Sequence, residues 1–306
     1  MKLKKGLAFL LLILFLFAST ALYAETNELI ILHTNDMHGR VSADDDLMGM
    51  PYLSSAVKDY RERFENVFVL DAGDALHGRP ITDKLEGRSA VELMNRVGYT
   101  AMAPGNHDFN YGYQKLIELT ELMEFDLLAT NVEKEGELLF KPYVVHQMGE
   151  LKIGIFGLAT SDTYSSTHPK NVVGIDFTDM ISASEKYVEV LKNREEVDFV
   201  IGLTHVGIQS STKIAESVAG IDLIVDGHSH SFLSSGKRVG ETLIVQANEY
   251  TKYLGKVRVN FDAAAPKLEA SLIPAEEIKN SYEPDQEIVE MLKEYNQEVT
   301  NMILGL

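Results

Sequence analysis

Side chains that can bind metal ions or transfer protons follow five apolar runs of the sequence. "LIIL" leads into "HTNDMHGR", "VFVL" into "DAGD", "TAMAP" into "GNHD", "FVIGL" into "THVG", and "DLIV" into "DGHSH". Asp36, Asp74 and Asn106 lie in these motifs, and so do five of the nine histidines: His38, His107, His205, His228 and His230. Because ligands bind at the carboxyl ends of strands in open α/β sheets, we expect these side chains to converge on one crevice.

The donor chemistry of this cluster predicts transition-metal ions. Imidazole nitrogens with carboxylate oxygens suit Zn or Mn first, and also Fe, Co or Ni, whereas Mg and Ca prefer oxygen ligands. The chain has no cysteine, so every ligand must be a nitrogen or an oxygen. The candidates outnumber the ligands that one ion takes, which favours two divalent metal ions that share a carboxylate.

Strands that alternate with helices must position these motifs. Short runs rich in Val, Ile and Leu recur between residues 28 and 247, and segments with helical spacing lie between several of them, at 89–98, 111–123 and 180–193. This alternation predicts βαβ units and sheets buried on both faces. Residues 136–159 break the rhythm with strand-like runs separated by turns, which predicts a hairpin. We therefore expect an α/β fold of two facing sheets with helices outside them.

The order of the motifs resembles that of a known family. "DMH", "GD", "GNHD", "THVG" and "GHSH" follow one another as in the calcineurin-like metallophosphoesterases. "ILHTNDMHGR", "GNHDFNYG", "GHSH" and "VQANEYTKYLG" narrow the resemblance, over residues 28–260, to the N-terminal catalytic domain of the exported 5′-nucleotidase and 2′,3′-cyclic nucleotide phosphodiesterase family. The resemblance implies a four-layer α/β/β/α metallophosphoesterase sandwich, with two mixed β-sheets flanked by helices.

The same resemblance implies two metal ions held by seven side chains. Asp36, His38 and His230 would bind one ion, Asn106, His205 and His228 the other, and Asp74 would bridge them. Many 5′-nucleotidases have glutamine where this chain has His230, and histidine is an equally good ligand.

The resemblance also implies hydrolysis of small phosphate esters, above all nucleotides. A hydroxide shared by the two ions would attack phosphorus in line. His107 resembles the family's catalytic histidine and would stabilise the transition state beside the substrate phosphate, which Asn106 also contacts. Asn110 stands where many 5′-nucleotidases pair an aspartate with that histidine, and an amide orients the ring without supplying charge. The 2′,3′-cyclic nucleotide 2′-phosphodiesterase/3′-nucleotidase branch also has asparagine there, so that activity is the alternative.

Other ionisable residues near the motifs receive structural interpretations. We read Asp71 as structural, His33 as structural or surface, Asp108 as support for its loop, and Asp226 as orienting a ligand histidine. His77 follows Asp74 closely in the sequence, and lining the pocket is the alternative to a structural role for it.

The first 24 residues differ from the rest of the chain. Three lysines precede "GLAFLLLILFLFA" and then the small residues of "STALYA", a pattern typical of an export signal. We expect a signal peptide at 1–24, a catalytic domain at 25–280, and at 281–306 a helix that resembles the linker to an absent substrate-binding domain. The chain would be exported to the periplasm or the extracellular space, and would stay anchored in the membrane if the signal is not cleaved.

The charge of the chain narrows the choice of partners. A net charge of −18 repels polymeric nucleic acid, whereas a small phosphate can still bind where cations are concentrated locally. We expect a small-molecule phosphate ester or nucleotide as substrate, and a membrane contact only through the export signal.

Two alternatives remain open. One is a catalytic or non-catalytic subunit that needs a separate nucleotide-binding chain, and the other is the related sulfur-oxidation hydrolase.

Overall fold

A computed structural model describes residues 27–263 and 265–306, so the expected signal peptide lies outside the described residues. The strands, in chain order, are β1 (Glu28–Thr34), β2 (Val67–Asp71), β3 (Ala101–Met102), β4 (Asp126–Leu127), β5 (Val132–Lys134), β6 (Glu137–Leu138), β7 (Tyr143–Met148), β8 (Leu151–Ala159), β9 (Asp176–Phe177), β10 (Phe199–His205), β11 (Leu223–Asp226), β12 (Lys237–Val239), β13 (Thr242–Val245), β14 (Tyr253–Asn260) and β15 (Lys267–Pro274).

Helices form at the three segments where the spacing predicts them and at several others. They are α1 (Gly49–Arg63), α2 (Pro80–Asp83), α3 (Arg88–Val97), α4 (Tyr113–Thr120), α5 (Thr163–Ser166), α6 (Met180–Glu189), α7 (Ile208–Ser217), α8 (Ala275–Ser281) and α9 (Gln286–Leu304). A π-helical turn, Val190–Arg194, continues α6. Helix α3 ends at Gly98, whose φ of 82° is readily adopted only by glycine, and the Gly98 N–H closes the last turn.

Two six-stranded sheets form the centre of the fold. Their strand orders are β15-β14-β1-β2-β3-β4 and β12-β13-β11-β10-β8-β7. The strands β1 to β4 run parallel, β14 pairs antiparallel with β1, and β15 pairs antiparallel with β14. In the second sheet, β8, β10, β11 and β13 run parallel between antiparallel β7 and β12. Both sheets are therefore mixed, and β7 with β8 forms the predicted hairpin. A small sheet of β6, β5 and β9 was not predicted.

Side-chain alternation along the strands separates the layers. On β1, Leu29 and Ile31 lie in an apolar core shared with β8, β10 and β11 of the second sheet. Ile30 and Leu32 point the other way, into a core shared with α1, α3 and α9. On the outer face of the second sheet, Ile224 packs with residues of α6 and α7. The order of layers is helix, sheet, sheet, helix, as the resemblance implied.

The C-terminal helix α9 packs against the rest of the fold. Its residues Ile288, Leu292, Tyr295 and Val299 are buried in the core that covers the first sheet. Asp285, which caps the helix, accepts a hydrogen bond of 2.6 Å from Ser54 Oγ and pairs with Lys58 at 2.6 Å. Only the last turn leaves its apolar side chains in solvent. Within the ranges given above, no helix is both long enough and apolar enough to cross a membrane.

Candidate metal centre

Five strands bring the sequence motifs to one edge of the two sheets. Among the candidate residues, His205 is the last residue of β10, and the others follow β1, β2, β3 and β11. Three groups of side chains have ligand atoms within 4.8 Å of one another: Asp36, His38 and His230; His38, Asp74 and His107; and Asp36, Asp74 and His205. Shared members join these groups into one cluster, so the expected convergence occurs.

Asp36, His38 and His230 form one half of the cluster. The Nε2 atoms of His38 and His230 are 3.3 Å apart, and Asp36 Oδ1 lies 3.2 Å from His230 Nε2. The buried Asp36 carboxylate also accepts the backbone N–H of His228 at 3.0 Å and the amide of Asn35 at 2.6 Å. These hydrogen bonds fix the carboxylate while Oδ1 still faces the imidazoles.

Asn106, His205 and His228 form the other half. The Oδ1 atom of Asn106 lies 2.8 Å from His228 Nδ1 and 3.1 Å from His205 Nε2. Asn106 and His205 are buried, whereas His228 is partly exposed. One amide oxygen and two ring nitrogens thus face a common point.

Asp74 lies between the two halves. Its Oδ2 is 3.7 Å from His38 Nε2 and 3.3 Å from His205 Nε2, so a single oxygen faces one imidazole of each half. Its Oδ1 accepts the backbone N–H of His107 at 2.7 Å. The structure therefore brings together all seven side chains that the sequence indicated as ligands.

The far nitrogen of three of these imidazoles contacts a hydrogen-bond acceptor. His205 Nδ1 lies 2.6 Å from the Ala72 carbonyl oxygen, and His230 Nδ1 lies 2.6 Å from Glu249 Oε2. His228 Nε2 lies 3.2 Å from Asp162 Oδ2. Such contacts place one ring proton away from the cluster and leave the other nitrogen of each ring directed into it. Sequence reasoning missed the roles of Glu249 and Asp162, because no spacing rule connects either carboxylate to its imidazole.

The electrostatics of the cluster fit a divalent cation. Burial lowers the pKa of His38 to about 4, so this ring is neutral and offers a lone pair at neutral pH. Burial also lowers the pKa of His205, but the Asp74 carboxylate overrides burial and raises that pKa to about 10. The buried carboxylates of Asp36 and Asp74 therefore attract positive charge into the cluster. The Asn106 amide oxygen faces the same cluster and can act only as an acceptor. A metal ion would satisfy these facing acceptors.

Buried carboxylates behind the cluster hold the loops that carry the ligands. Asp108 accepts backbone N–H groups from Asp74, Leu76 and Gly105 at 2.8, 2.9 and 2.7 Å, which agrees with its interpretation as loop support. Burial and the nearby charge of Asp74 raise the pKa of Asp108 to about 7. Asp71 accepts the Thr34 hydroxyl at 2.6 Å and the backbone N–H of Gly73 at 2.9 Å, which agrees with its structural interpretation.

Asp226 supports a backbone turn instead of binding a ligand imidazole. Its Oδ1 accepts the Thr204 hydroxyl and the backbone N–H groups of Val206 and Gly207. Its Oδ2 accepts the Gln246 amide at 2.6 Å. The prediction that Asp226 orients a ligand histidine directly does not match these contacts, since the acceptors of the rings are other groups.

Glycines allow the strand ends to approach one another. A Cβ atom on Gly105 would lie 2.2 Å from Asp74 Oδ1, and one on Gly73 would lie 2.6 Å from the Gly105 nitrogen. Any side chain at these two positions would push the Asp74 loop away from the Asn106 loop. The two glycines thus set the separation of the two halves.

His107 and Asn110 lie beside the cluster and contact each other. Asn110 Nδ2 is 3.0 Å from His107 Nδ1, and because an amide nitrogen only donates, Nδ1 accepts and the ring proton lies on Nε2. The His107 ring is 5.3 Å from that of His38. His77 also stacks on His107, with ring centres 5.8 Å apart and planes at 10°, so it borders this part of the site.

Comparison with known proteins identifies the family. The family model described as calcineurin-like phosphoesterase matches residues 29–232, more than half of the chain. The chain belongs to the calcineurin-like phosphoesterases. This confirms the resemblance read from the motifs. Members of this family use a dinuclear divalent metal site, and the described residues include candidate ligand groups for one.

Relatives with assigned activities are nucleotidases. A 5′-nucleotidase from Bos taurus is 33% identical over 77% of this chain and 47% of its own length. The trifunctional nucleotide phosphoesterase protein YfkN of Bacillus subtilis is 28% identical over 91% of this chain but only 21% of its own length. The chain spans about half the length, or less, of these curated relatives.

A solved structure confirms the fold class. The structure of a 5′-nucleotidase precursor from Thermus thermophilus superposes with a TM-score of 0.77 and 30% sequence identity. The superposition covers 90% of this chain and 60% of that protein. The mixed sheets flanked by helices are therefore those of the family, and the α/β metallophosphoesterase prediction was correct.

Proposed function

We propose that this chain is a dinuclear-metal phosphoesterase that hydrolyses small phosphate esters, in particular nucleotides. The position of Asp74 supports the proposal most directly, because one of its oxygens faces an imidazole of each half of the cluster. A carboxylate in that position can bridge two cations. The relatives named as nucleotidases support the substrate class.

Seven residues would hold the two ions, and Zn or Mn suits their nitrogen and oxygen donors best. Asp36, His38 and His230 would bind one ion, Asn106, His205 and His228 the other, with Asp74 shared. When bound, the two ions would supply an activated water as nucleophile and neutralise charge on the phosphoryl oxygens. Glu249 and Asp162 would keep the rings of His230 and His228 oriented.

His107 would act directly on the substrate phosphate. The Asn110 amide holds Nδ1 of the ring, so the Nε2–H group is free to donate to a phosphoryl oxygen or to the leaving oxygen. A neutral His107 ring can donate this hydrogen bond to the phosphate, so Asn110 positions the donor without supplying a charge. Asn106 would contact the same phosphate.

A second activity is favoured by Asn110. The 2′,3′-cyclic nucleotide 2′-phosphodiesterase/3′-nucleotidase branch resembles this chain in pairing its histidine with an amide, and YfkN, whose name records three nucleotide phosphoesterase activities, is among the relatives. Cyclic and 3′ nucleotides are therefore the alternative substrates to 5′ nucleotides.

The remaining expectations concern location and partners. An export signal at 1–24 would place a catalytic domain of residues 25–280 in the periplasm or outside the cell. The helix at 281–306 would connect that domain to a substrate-binding domain, and a separate chain could supply such a domain. We infer no binding of polymeric nucleic acid, since a net charge of −18 opposes it.

One set of assays tests the proposed activity. The full chain, loaded with Mn or Zn, is assayed against AMP, 3′-AMP, 2′,3′-cyclic AMP and bis-(p-nitrophenyl) phosphate. We expect turnover that a chelator abolishes, and turnover roughly a hundredfold or more lower in His107→Ala. The backbone N–H of residue 107, which binds Asp74, survives that substitution, so both ions should stay bound. No release of phosphate or nitrophenol from any substrate would overturn the proposal.

A further inference from the structure

Two arginines line one cavity beside the candidate metal centre. Arg40 and Arg79 border a cavity of about 280 Å³ together with residues such as Asp44 and Asn296. Among the described residues, the arginines that pair with a carboxylate are Arg63, Arg88, Arg96 and Arg258. Arg40 and Arg79 have no such partner in that part of the chain. In a protein with a net charge of −18, two neighbouring cations without a carboxylate partner mark a place suited to an external anion.

Arg40 is held in place by contacts that leave its charge uncompensated. Its guanidinium carbon lies 3.4 Å from the centre of the Tyr250 ring, and Nη1 donates to the His38 carbonyl oxygen at 3.1 Å. The Tyr250 ring lies 5.7 Å from the His38 ring and 5.9 Å from the His230 ring. The guanidinium carbon therefore lies no more than 9.1 Å from the centre of the His38 ring. Because these contacts already hold the Arg40 side chain, little side-chain freedom would be lost when an anion binds.

A close backbone contact places Arg79 at the same cavity. A Cβ atom on Gly39 would lie 2.9 Å from the Arg79 nitrogen, and Gly39 has a φ of +68°. Only glycine tolerates both the conformation and the contact, so the chain segments that carry Arg40 and Arg79 are tightly joined. The Arg79 side chain is exposed and can reach an incoming ligand.

The nearest carboxylates are engaged elsewhere. Asp44 Oδ1 accepts the backbone N–H groups of Asp46 and Leu47 at 3.0 and 2.9 Å. Glu249 contacts His230 Nδ1 at 2.6 Å and Lys252 Nζ at 2.7 Å. The cavity is therefore lined by two guanidinium groups and one carboxylate, and that carboxylate already accepts hydrogen bonds.

We propose that Arg40 and Arg79 form an anion subsite for a second phosphate group of the substrate. This inference rests on the proposed function, in which the first phosphate lies at the metal centre. Guanidinium groups bind phosphate through paired, charge-assisted hydrogen bonds. A guanidinium up to 9.1 Å from the centre of the His38 ring suits a phosphate about one sugar unit from the reacting one. Nucleoside 3′,5′-bisphosphates have that spacing, whereas the adjacent phosphates of a diphosphate do not.

Kinetics with matched substrates test the subsite. The metal-loaded full chain is assayed with adenosine 3′,5′-bisphosphate, 5′-AMP and 3′-AMP. We expect the bisphosphate to have a KM roughly ten- to a hundredfold lower than either monophosphate, from charge-assisted hydrogen bonds to its second phosphate. Arg79→Gln and Arg40→Ala should each reduce this ratio towards one. Arg238→Gln is the matched control and the ratio should persist, since Arg238 is exposed and, among the described residues, donates only to the Glu241 carbonyl oxygen.

Binding measurements separate this inference from the proposed function. Calorimetric titration with adenosine 3′,5′-bisphosphate and with 5′-AMP reports the second phosphate even if no substrate is turned over. If Arg79→Gln weakens the binding of the bisphosphate but not that of 5′-AMP, the result supports the subsite, whether or not the protein hydrolyses either nucleotide. Equal affinities of wild type for both nucleotides, or an unchanged ratio in Arg79→Gln, overturn the subsite while turnover of 5′-AMP would still support the phosphoesterase. Arg79 is exposed, so this variant serves even if Arg40→Ala fails to fold.

Discussion

The buried imidazole of His33 should make the protein sensitive to acid in a way that one substitution removes. His33 lies on β1, is about 1% exposed, and its Nδ1 has no hydrogen-bond partner among the described residues. Burial lowers its pKa from 6.5 to about 3. Below pH 6.5, His33 therefore binds a proton in the unfolded chain but not in the folded chain. The free energy of unfolding falls as the pH falls towards 3. The slope is about 1.4 kcal/mol per pH unit, or roughly 4 to 5 kcal/mol over the whole window.

His33→Phe should abolish this component of the acid sensitivity. A flat ring suits the site, because a Cβ atom on the facing Gly255 would lie 2.0 Å from His33 Nε2. Urea unfolding is measured at pH 7.5 and 4.5 with chelator present. Between these pH values the free energy of unfolding should fall by roughly 3 kcal/mol more in wild type than in the variant. His168→Phe, at an exposed position, is the control and should lose as much as wild type. Parallel stability curves for wild type and His33→Phe would refute the reasoning.

Three further predictions concern the metal centre and α9. Glu249→Gln removes the charge that holds His230 Nδ1, and calorimetric titration with Mn or Zn should show affinity for one of the two ions reduced roughly ten- to a hundredfold; an equal loss at both ions would contradict a specific role. Asn110→Ala frees His107 Nδ1, so kcat should fall about tenfold while metal content and KM stay unchanged; a KM effect alone would contradict it. Leu292→Ala leaves a cavity under α9 and should lower the free energy of unfolding by about 2–5 kcal/mol in urea titrations, whereas Met302→Ala in the exposed last turn should change it by less than about 0.5 kcal/mol.

The sequence allowed the candidate site to be located because its candidate ligands follow a simple rule. Val, Ile and Leu runs form the central strands, and the polar residues directly after them must lie at the carboxyl edge of the sheets. His205, for example, is the last residue of β10, and Asp74 follows β2 after two residues. Both positions could be read from hydrophobic periodicity alone. The layers also followed, since strands buried on both faces need helices on the outside.

Contacts between distant loops could not be read in the same way. Glu249 reaches His230 because the turn after β13 is folded back, with positive φ angles at Asn248, Tyr250 and Thr251. A β-branched residue such as Thr251 rarely adopts that conformation, so no propensity predicts the turn. The strands β5, β6 and β9 are only two or three residues long, which is too short for any periodicity to show. Tertiary contacts, not local pattern, decide these features.

The backbone of the metal centre shows why residue types alone do not make such a site. Five of the seven candidate ligands, namely Asp36, His38, Asp74, His228 and His230, have φ angles between 47° and 74°. A left-handed conformation costs roughly 1–2 kcal/mol for each such residue, so the isolated loops would not adopt this geometry. Asp108 and Asp36 offset part of the cost, since Asp108 accepts the backbone N–H groups of Asp74 and Leu76, and Asp36 accepts that of His228. The same aspartates and histidines placed after strands without these buried carboxylates would relax to ordinary turns, and their ligand atoms would no longer face one another.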